Sequence, residues 1–325
     1  MNERDLLAHL IDGPVNGDAL ARRTGLTRAA IWKRIDALRE AGVAIDAQAG
    51  RGYSLGQPLE LLDGDAIRAA LPAQQRAAID ALDVAWTLDS TNSELLRRAA
   101  PARGVAVLLA ERQTGGRGRR GRAWTSPLAA NIYMSVSRIF SGGLARLPGL
   151  SLVAGVATAE ALQAAGFSGI RLKWPNDLVT ERDGGFRKLG GLLVEGGGEN
   201  AGPVRAVLGL GLNTCMPAGQ AAHIDQPHVD LATLAGAAPS RNALVAAVLA
   251  HWLPALAQFD AEGLAPFLER YSAFDALAGR DIALHTDAGV QCAQALGLAP
   301  DGALRVHVDG REQRVHSGDI SVRAA

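Results

Sequence analysis

The chain is short of cysteine, lysine and net charge, and each shortage narrows what it can do. Its two cysteines, Cys215 and Cys292, lie far apart and form no motif. That excludes a disulfide scaffold and predicts a reduced, cytoplasmic protein. No Cys/His metal spacing is present, and His223 and His228, five apart, make poor ligand geometry. No nucleophilic triad is visible. The formal charge is zero, so no global field draws the chain to nucleic acid or membrane, and any such role must be local. No apolar leader accompanies Glu3, Arg4 and Asp5. The longest apolar stretch, 147–166, is broken by Pro148, Ser151 and Glu160, which predicts a buried helix and no membrane partner.

Of the 33 basic residues only Lys33, Lys173 and Lys188 are lysine. An arginine-rich codon usage accounts for most of this bias. Even so, two of the three survivors fall inside the motifs below, and a guanidinium does not substitute for a compact ammonium at every site.

What is present in excess is glycine and arginine in one place. Gly115-Gly116-Arg117-Gly118-Arg119-Arg120-Gly121-Arg122 alternates the two with no acid among them, ahead of Ala123-Trp124. Glycine lets the backbone approach a ligand, and arginine offers a fork of donors for phosphate or carboxylate. Such a loop is expected to be mobile until an anion orders it. Gly116-x-Gly118-x-x-Gly121 matches a dinucleotide fingerprint in letters, but Trp124-Thr125-Ser126-Pro127 follows where a helix must open. Arg122-Ala123 stands where a P-loop needs Lys-Ser/Thr. A solvated basic hairpin or an RNA-binding Arg/Gly tract remains the plain alternative for the loop alone.

Residues 1–62 read as a winged helix-turn-helix. Leu6, Leu7, Leu10 and Ile11 form one helical stripe, 18–23 a second helix, and Thr24-Gly25-Leu26 a tight turn. Thr27 caps a third helix with Ala30, Ile31, Ile35 and Leu38 on its apolar face. The alternating 43–55 segment turns at Gly50-Arg51-Gly52 as a wing. Thr27, Arg28, Lys33, Arg34 and Arg51 are the candidate DNA-binding residues, because positive charge gathers on the third helix and wing tip. A helical interaction domain without DNA is the alternative, and Trp32 is either packing or a base contact.

From 63 to 274 strands are expected at 84–88, 105–111, 131–137, 169–174, 188–195 and 204–213. Helices are expected at 94–100, 149–165, 242–259 and 264–271. Helices come in blocks between hairpins, which argues α+β with a mixed sheet. Four clusters sit at strand ends: Asp89-Ser90-Thr91-Asn92, Glu111 to Thr114 running into the arginine loop, Lys173-Trp174-Pro175-Asn176-Asp177, and Arg187-Lys188-Leu189-Gly190-Gly191 on a strand ending in Glu195. These parts suit activation of a carboxylate by a nucleotide, where cations must neutralise two approaching anions. Asp177 suits Mg²⁺, whose sites combine one or two carboxylates with substrate phosphates.

With Gly209-Leu210-Gly211-Leu212-Asn213, these clusters resemble those of biotin–protein ligases over nearly the whole chain. The front domain is similar to that of the bifunctional members that also repress biotin biosynthesis. The resemblance implies a core of class II synthetase-like type that makes biotinyl-5′-AMP from biotin and MgATP. It then implies transfer of biotin to a lysine of a carrier domain such as that of acetyl-CoA carboxylase. It implies that Ser90, Thr91, Asn92, Gln113, Gly116, Arg117, Arg119, Trp124 and Lys188 hold biotin. Arg119, Arg122, Lys173, Asn176, Asp177 and Asn213 would serve ATP, with Asp177 on Mg²⁺. Lys188, Arg119, Arg122 and Asp177 would carry catalysis. Operator DNA and, with adenylate bound, a second copy of the chain are the other implied partners. A lipoate-loading acyl ligase and a biotin-sensing transcription factor with little ligase activity are the alternatives. Some members pack an aromatic residue on the adenine from the loop after this strand. Here 217–240 has no Trp, Phe or Tyr, leaving His228 or Leu231.

Residues 275–325 show short alternating strands at 281–286, 290–296, 304–308, 311–316 and 320–322. Turns are marked at Gly289, Pro300-Asp301-Gly302, Asp309-Gly310 and Ser317-Gly318. This predicts a small SH3-like β-barrel, there either to support ATP or carrier binding or only to cover one end of the sheet.

Overall fold

A computed structural model describes residues 2–48, 52–198, 202–286, 289–316 and 321–324. The first three helices are α1 (Glu3–Ile11), α2 (Gly17–Thr24) and α3 (Arg28–Glu40). Asn2 and Asp5 close a capping box on α1, Gly25 ends α2 at φ 66°, and the Thr27 hydroxyl accepts from Ala30 N–H to start α3. Leu6, Leu7, Leu10, Leu20, Ile31, Ile35 and Leu38 are buried between them. Strands β1 (Ile45–Gln48) and β2 (Gly52–Leu55) form the antiparallel wing. Gly52, at φ 89°, lies so close to Val15 and Asn16 that a Cβ would meet their backbone at 2.3–2.8 Å. The wing tip, including Arg51, falls outside the described residues.

Next come α4 (Gly64–Ala70), α5 (Ala73–Ala77), β3 (Ile79–Leu88), α6 (Thr91–Arg97), β4 (Val105–Gln113), β5 (Ile132–Phe140) and α7 (Leu147–Ala164). They are followed by β6 (Ile170–Lys173), β7 (Asp177–Arg182), β8 (Gly185–Gly198), β9 (Val204–Leu212), α8 (Ala218–Ala221), α9 (Leu231–Ala235), α10 (Arg241–Glu262) and α11 (Ala265–Phe274). Sequence patterning missed α4 and α5, started β3 five residues late, and ran 169–174 into the turn that separates β6 from β7. It also started the helix after Asp89 three residues late, although Asp89 to Asn92 suits a helix N-terminus; Ser90 is the N-cap, and Thr91, Asn92 and Ser93 are the first turn of α6.

The sheet has the order β3-β4-β5-β9-β8-β7-β6, parallel only between β3 and β4. Its two faces differ sharply. Along β9, Val204, Ala206, Leu208, Leu210 and Leu212 join the main core under α7 and α10. Val207, Gly209 and Gly211 face the other way, toward α6, as the period of two requires. α7 and α10 are each long and apolar enough to cross a membrane, but most of each is buried in the molecule. They pack together, with Trp252 Nε1 donating to Thr158 Oγ1 at 2.8 Å.

The last strands, β10 (Asp281–Thr286), β11 (Gly289–Leu298), β12 (Leu304–Val308), β13 (Arg311–Val315) and β14 (Ser321–Ala324), form an antiparallel sheet ordered β13-β12-β11-β10-β14. The turn at Ser317-Gly318 lies outside the described residues. Trp174 Nε1 donates to the Gly302 carbonyl at 3.1 Å, tying this sheet to the β6–β7 turn.

The helix-turn-helix is not hung on a loose linker. Leu128 and Ala129, just beyond the arginine loop, are buried in its core. Leu128 N–H donates to Ala41 O at 2.8 Å, and Trp86 Nε1 donates to Glu3 at 3.3 Å.

Candidate functional site

The cleft opens on the α6 face of the sheet, where β9 presents glycines. Trp124 lies flat against Gly211, so close that a Cβ there would sit 2.5 Å from the indole. At Gly209 a Cβ would meet Asn92 Oδ1 at 2.5 Å. The two glycines therefore seat the Trp124 indole and the Asn92 amide against the sheet. Trp124 Nε1 is buried, and among the described residues it has no hydrogen-bond partner. A donor left so costs about 1–3 kcal/mol, which a ligand acceptor could offset.

Lys188 reaches this cleft through a fault in strand register. Asp177 pairs Gly191 and Leu178 pairs Gly190, but Val179 pairs Lys188, so Leu189 is an extra residue in β8. This β-bulge inverts the alternation. Leu189 drops into the core, and Lys188 emerges on the face of Gly191, Leu193 and Glu195. Its Nζ lies 2.8 Å from Asp177 Oδ1 and 5.4 Å from the Trp124 ring centre.

The arginine loop is a closed hairpin. Gly118 N–H donates to Arg122 O at 2.7 Å and Trp124 N–H to Gly116 O at 2.9 Å. Arg120, at φ 56°, and Gly121, at φ 70°, turn the tip. Gly116 is buried, and a Cβ there would press on Ser126, Trp124 O and Gln113. Arg119 is half-buried and reaches Asn176 Oδ1 at 3.5 Å. Burial pushes its guanidinium below the usual arginine value, Arg120 and Arg122 add to this, and Asp177 opposes it. An arriving anion would reverse that shift. Arg119 and Asn176 also line a cavity of about 300 Å³ with Trp174, Leu193, Asp301 and His316, at the seam with the C-terminal sheet.

Residues of α6 hold the loop. Ser90 is the N-cap, its hydroxyl accepting from Ser93 N–H at 3.4 Å. Gln113 Oε1 accepts from Thr91 N–H at 2.8 Å and from Thr91 Oγ1 at 3.1 Å, and Ser135 Oγ donates to Asn92 Oδ1 at 2.6 Å. The structure thus brings Ser90, Thr91, Asn92, Gln113, Gly116, Arg117, Trp124, Asp177 and Lys188 around one cleft. Arg119 and Asn176 stand at its edge. Lys173 lies opposite Asp177 in the β6–β7 pairing, and Arg122 is exposed at the hairpin end.

Asn213 differs from expectation. It is buried, and its Nδ2 donates to Lys188 O and Val229 O at 3.4 and 3.2 Å. Its amide steadies the Lys188 backbone instead of pointing into the cleft. The segment 227–229 runs beside Lys188, which donates to Pro227 O at 2.9 Å and accepts from Val229 N–H at 3.0 Å. Leu231 is fully buried and cannot cover a ligand, whereas His228 is only part-buried beside Lys188. No group of three His, Cys, Asp or Glu that could hold a metal occurs among the described residues. A Mg²⁺ here could draw on Asp177 together with phosphate oxygens, which fits a metal delivered with ATP.

On α3, Arg28, Trp32 and Lys33 are exposed and Arg34 is half-buried. Trp32 is 59% exposed, so it is not packing. Arg28 forks onto Asp18, and Arg34 lines a groove with Asn2, Glu3, Arg4 and Trp86.

Residues 84–213 match the Biotin/lipoate A/B protein ligase family, and residues 2–54 match the HTH domain family. The chain is similar to the bifunctional ligase/repressor BirA of Salmonella typhimurium, 37% identical over 98% of this chain and 97% of that protein. The corresponding Escherichia coli protein is 36% identical over the same shares. A biotin–[acetyl-CoA-carboxylase] ligase of Mycobacterium tuberculosis is 34% identical over 74% of this chain and 88% of its own length. The biotin protein ligase of Aquifex aeolicus, solved with biotin and ATP, shares the fold over 76% of this chain and all of its own, with a TM-score of 0.63 at 24% identity.

Proposed function

Since the chain belongs to the family of bifunctional biotin ligase/repressors, we propose that its cleft makes biotinyl-5′-AMP and biotinylates a carrier lysine. A biotin carboxylate oxygen attacks the α-phosphorus of ATP, the bond to pyrophosphate breaks, and a mixed anhydride forms. The carrier amine then attacks the acyl carbon, AMP leaves, the nitrogen loses a proton and an amide remains. The carrier domain of acetyl-CoA carboxylase is the expected acceptor, and Mg²⁺ enters with ATP.

The observation that carries this reading is Lys188, turned by the bulge into the cleft beside Trp124 and Asp177. Its ammonium stands where two anions must meet, and a fixed charge there needs no reorganisation as the phosphate charge develops. Gln113, Thr91, Asn92, Ser90, Gly116 and Arg117 form the head-group end, with Trp124 over the bicyclic ring. Arg119, Arg122, Lys173, Asn176 and Asp177 serve the nucleotide, and His228 covers the adenine. Asn213 supports Lys188 from behind. We assign residues 1–62 to DNA binding, 63–274 to a class II synthetase-like catalytic domain and 275–325 to an SH3-like barrel. The protein is placed in the cytoplasm.

The deciding experiment is transfer of labelled biotin to an isolated carrier domain with MgATP, with lipoate as competitor. Biotin transfer unaffected by lipoate is the expected result. Tight biotin binding with no transfer would make the protein a biotin-sensing regulator, and lipoate transfer would make it a lipoate ligase.

Repression uses α3 as the recognition helix, with Thr27 setting its start. A single helix-turn-helix reads paired half-sites as a dimer, so the adenylate-bound protein should sediment as a homodimer on and off operator DNA. Lys33→Ala is expected to lower the log–log salt dependence of operator binding by about 0.9 per subunit, one phosphate contact. Arg34→Ala, in the groove, should change it less. A salt slope unchanged by Lys33→Ala would move the DNA surface off α3.

A further inference from the structure

Glu195 lies on the same strand as Lys188, and the sequence alone assigns it no role, yet it sits where α6 and the arginine loop meet. The alternation of β8 beyond the bulge puts it on the cleft face with Gly191 and Leu193. Its Oε2 accepts from Asn92 Nδ2 at 2.9 Å, and its Oε1 accepts from Arg117 Nη2 at 3.3 Å. The same Arg117 nitrogen donates to Ser93 Oγ at 2.8 Å. We propose that Glu195 is a positioning residue that latches the outgoing limb of the arginine loop over the biotin head group and so sets how long biotin stays bound. The proposal rests on the biotin-ligase reading above.

The loop is gripped at both limbs by the first turn of α6. The returning limb is held through Ser126, whose Oγ accepts from Gln113 Nε2 at 3.3 Å and donates to Trp124 O at 2.9 Å. Gln113 in turn binds Thr91. The outgoing limb is held by Arg117 on Ser93 and Glu195. Two turn residues and one strand carboxylate thus clamp a segment whose tip residues, 120–123, are exposed.

The clamp's chemistry suits a neutral head group. In the open cleft the Arg117–Glu195 pair, with side chains 46% and 28% exposed, adds little stability. Once a ligand excludes water, the attraction strengthens and an unpartnered guanidinium would be costly. Glu195 satisfies one edge of Arg117, leaving other N–H donors of the fork for an uncharged acceptor such as a urea carbonyl. Cations for the anionic end of the reaction, Lys188 and Arg119, lie elsewhere. The two ends of the cleft thus use different cations, Arg117 beside Glu195 at one and Lys188 beside Asp177 at the other.

The test is a double-mutant cycle in the full chain, pairing Glu195→Gln with Arg117→Ala. Glutamine can still accept from Asn92, but its amide nitrogen cannot accept from Arg117. Glu195→Gln is expected to raise the dissociation rate of labelled biotin and the KM for biotin about tenfold, with kcat for pyrophosphate release within about twofold. In the Arg117→Ala background it should add nothing further. An unchanged dissociation rate in Glu195→Gln overturns the proposal. So does an effect that persists undiminished without Arg117, because Glu195 would then act on the fold through Asn92. In either case the wild type still releases pyrophosphate with biotin, and the ligase reading stands. A wild type that releases none overturns both.

Discussion

Lys188→Ala should reduce biotin-dependent pyrophosphate release by about 10²-fold or more, which is on the order of 3 kcal/mol of lost transition-state stabilisation. The size follows from what remains. Without the ammonium, Asp177 keeps its carboxylate in the cleft, facing an incoming carboxylate and a triphosphate. The variant therefore loses an attraction and gains a repulsion. Lys188→Arg should not restore the rate, because a broad planar guanidinium cannot occupy a point-charge position beside Trp124. Biotin binding should fall less than turnover, since the head-group contacts proposed above, Gln113, Thr91 and Arg117, are at the other end. The check is pyrophosphate release at saturating biotin and MgATP. A Lys188→Ala rate within tenfold of wild type would take the reaction away from this residue.

The second large effect is expected on stability, far from the reacting atoms. Arg241, the first residue of α10, is 4% exposed and pairs with Glu111, 1% exposed, at 2.7 Å. Its Nη1 also donates to Asn131 O at 3.0 Å, and its remaining donors engage Glu60 O. Glu111 in turn accepts from Leu62 N–H. This one ion pair joins the start of α10, the end of β4 and the segment arriving from the helix-turn-helix. Arg241→Ala leaves a buried carboxylate without its partner, which costs about 3–5 kcal/mol. Urea unfolding followed by tryptophan fluorescence should show the midpoint fall accordingly. Arg241→Met combined with Glu111→Gln should lose distinctly less, because no uncompensated charge is left inside. Equal losses in the two variants would mean that packing, not the charge, is what Arg241 supplies.

Much of this site was legible because its signals are local. A cap, a glycine and an apolar face lie within 14 residues in α2 and α3, and the arginine loop announces itself by composition alone. Lys188 and Asp177 were legible as types at strand ends. What could not be read was register and distance. The Lys188-Leu189-Gly190-Gly191 run has no alternation to betray a bulge, so the sequence does not say which face the lysine takes. Glu195 binds residues 103 and 78 positions away, and a lone acid at the end of a strand looks like any solvated edge residue. Asn213 follows two glycines and looks like a ligand, but its amide is occupied by backbone carbonyls that only the packing of 227–231 brings near. The helices at 64–77 escaped because they are one or two turns long, too short for a helical period to register.

The single surplus residue in β8 also dictates where the chain tolerates changes in length. Between Arg182 and Gly185 the β7–β8 hairpin turns in the open, with Asp183 and Gly184 at positive φ, and residues added there would leave the pairing below them untouched. Removing Leu189 would let Lys188 follow Gly190 in regular alternation, still opposite Val179 and still on the cleft face, while the core lost a fully buried side chain. A chain one residue shorter at that point would keep its ammonium in the cleft and lose packing beneath it. What would take the ammonium out of the cleft is a straightened strand of unchanged length, in which Lys188 would slip one place along the alternation and onto the apolar side.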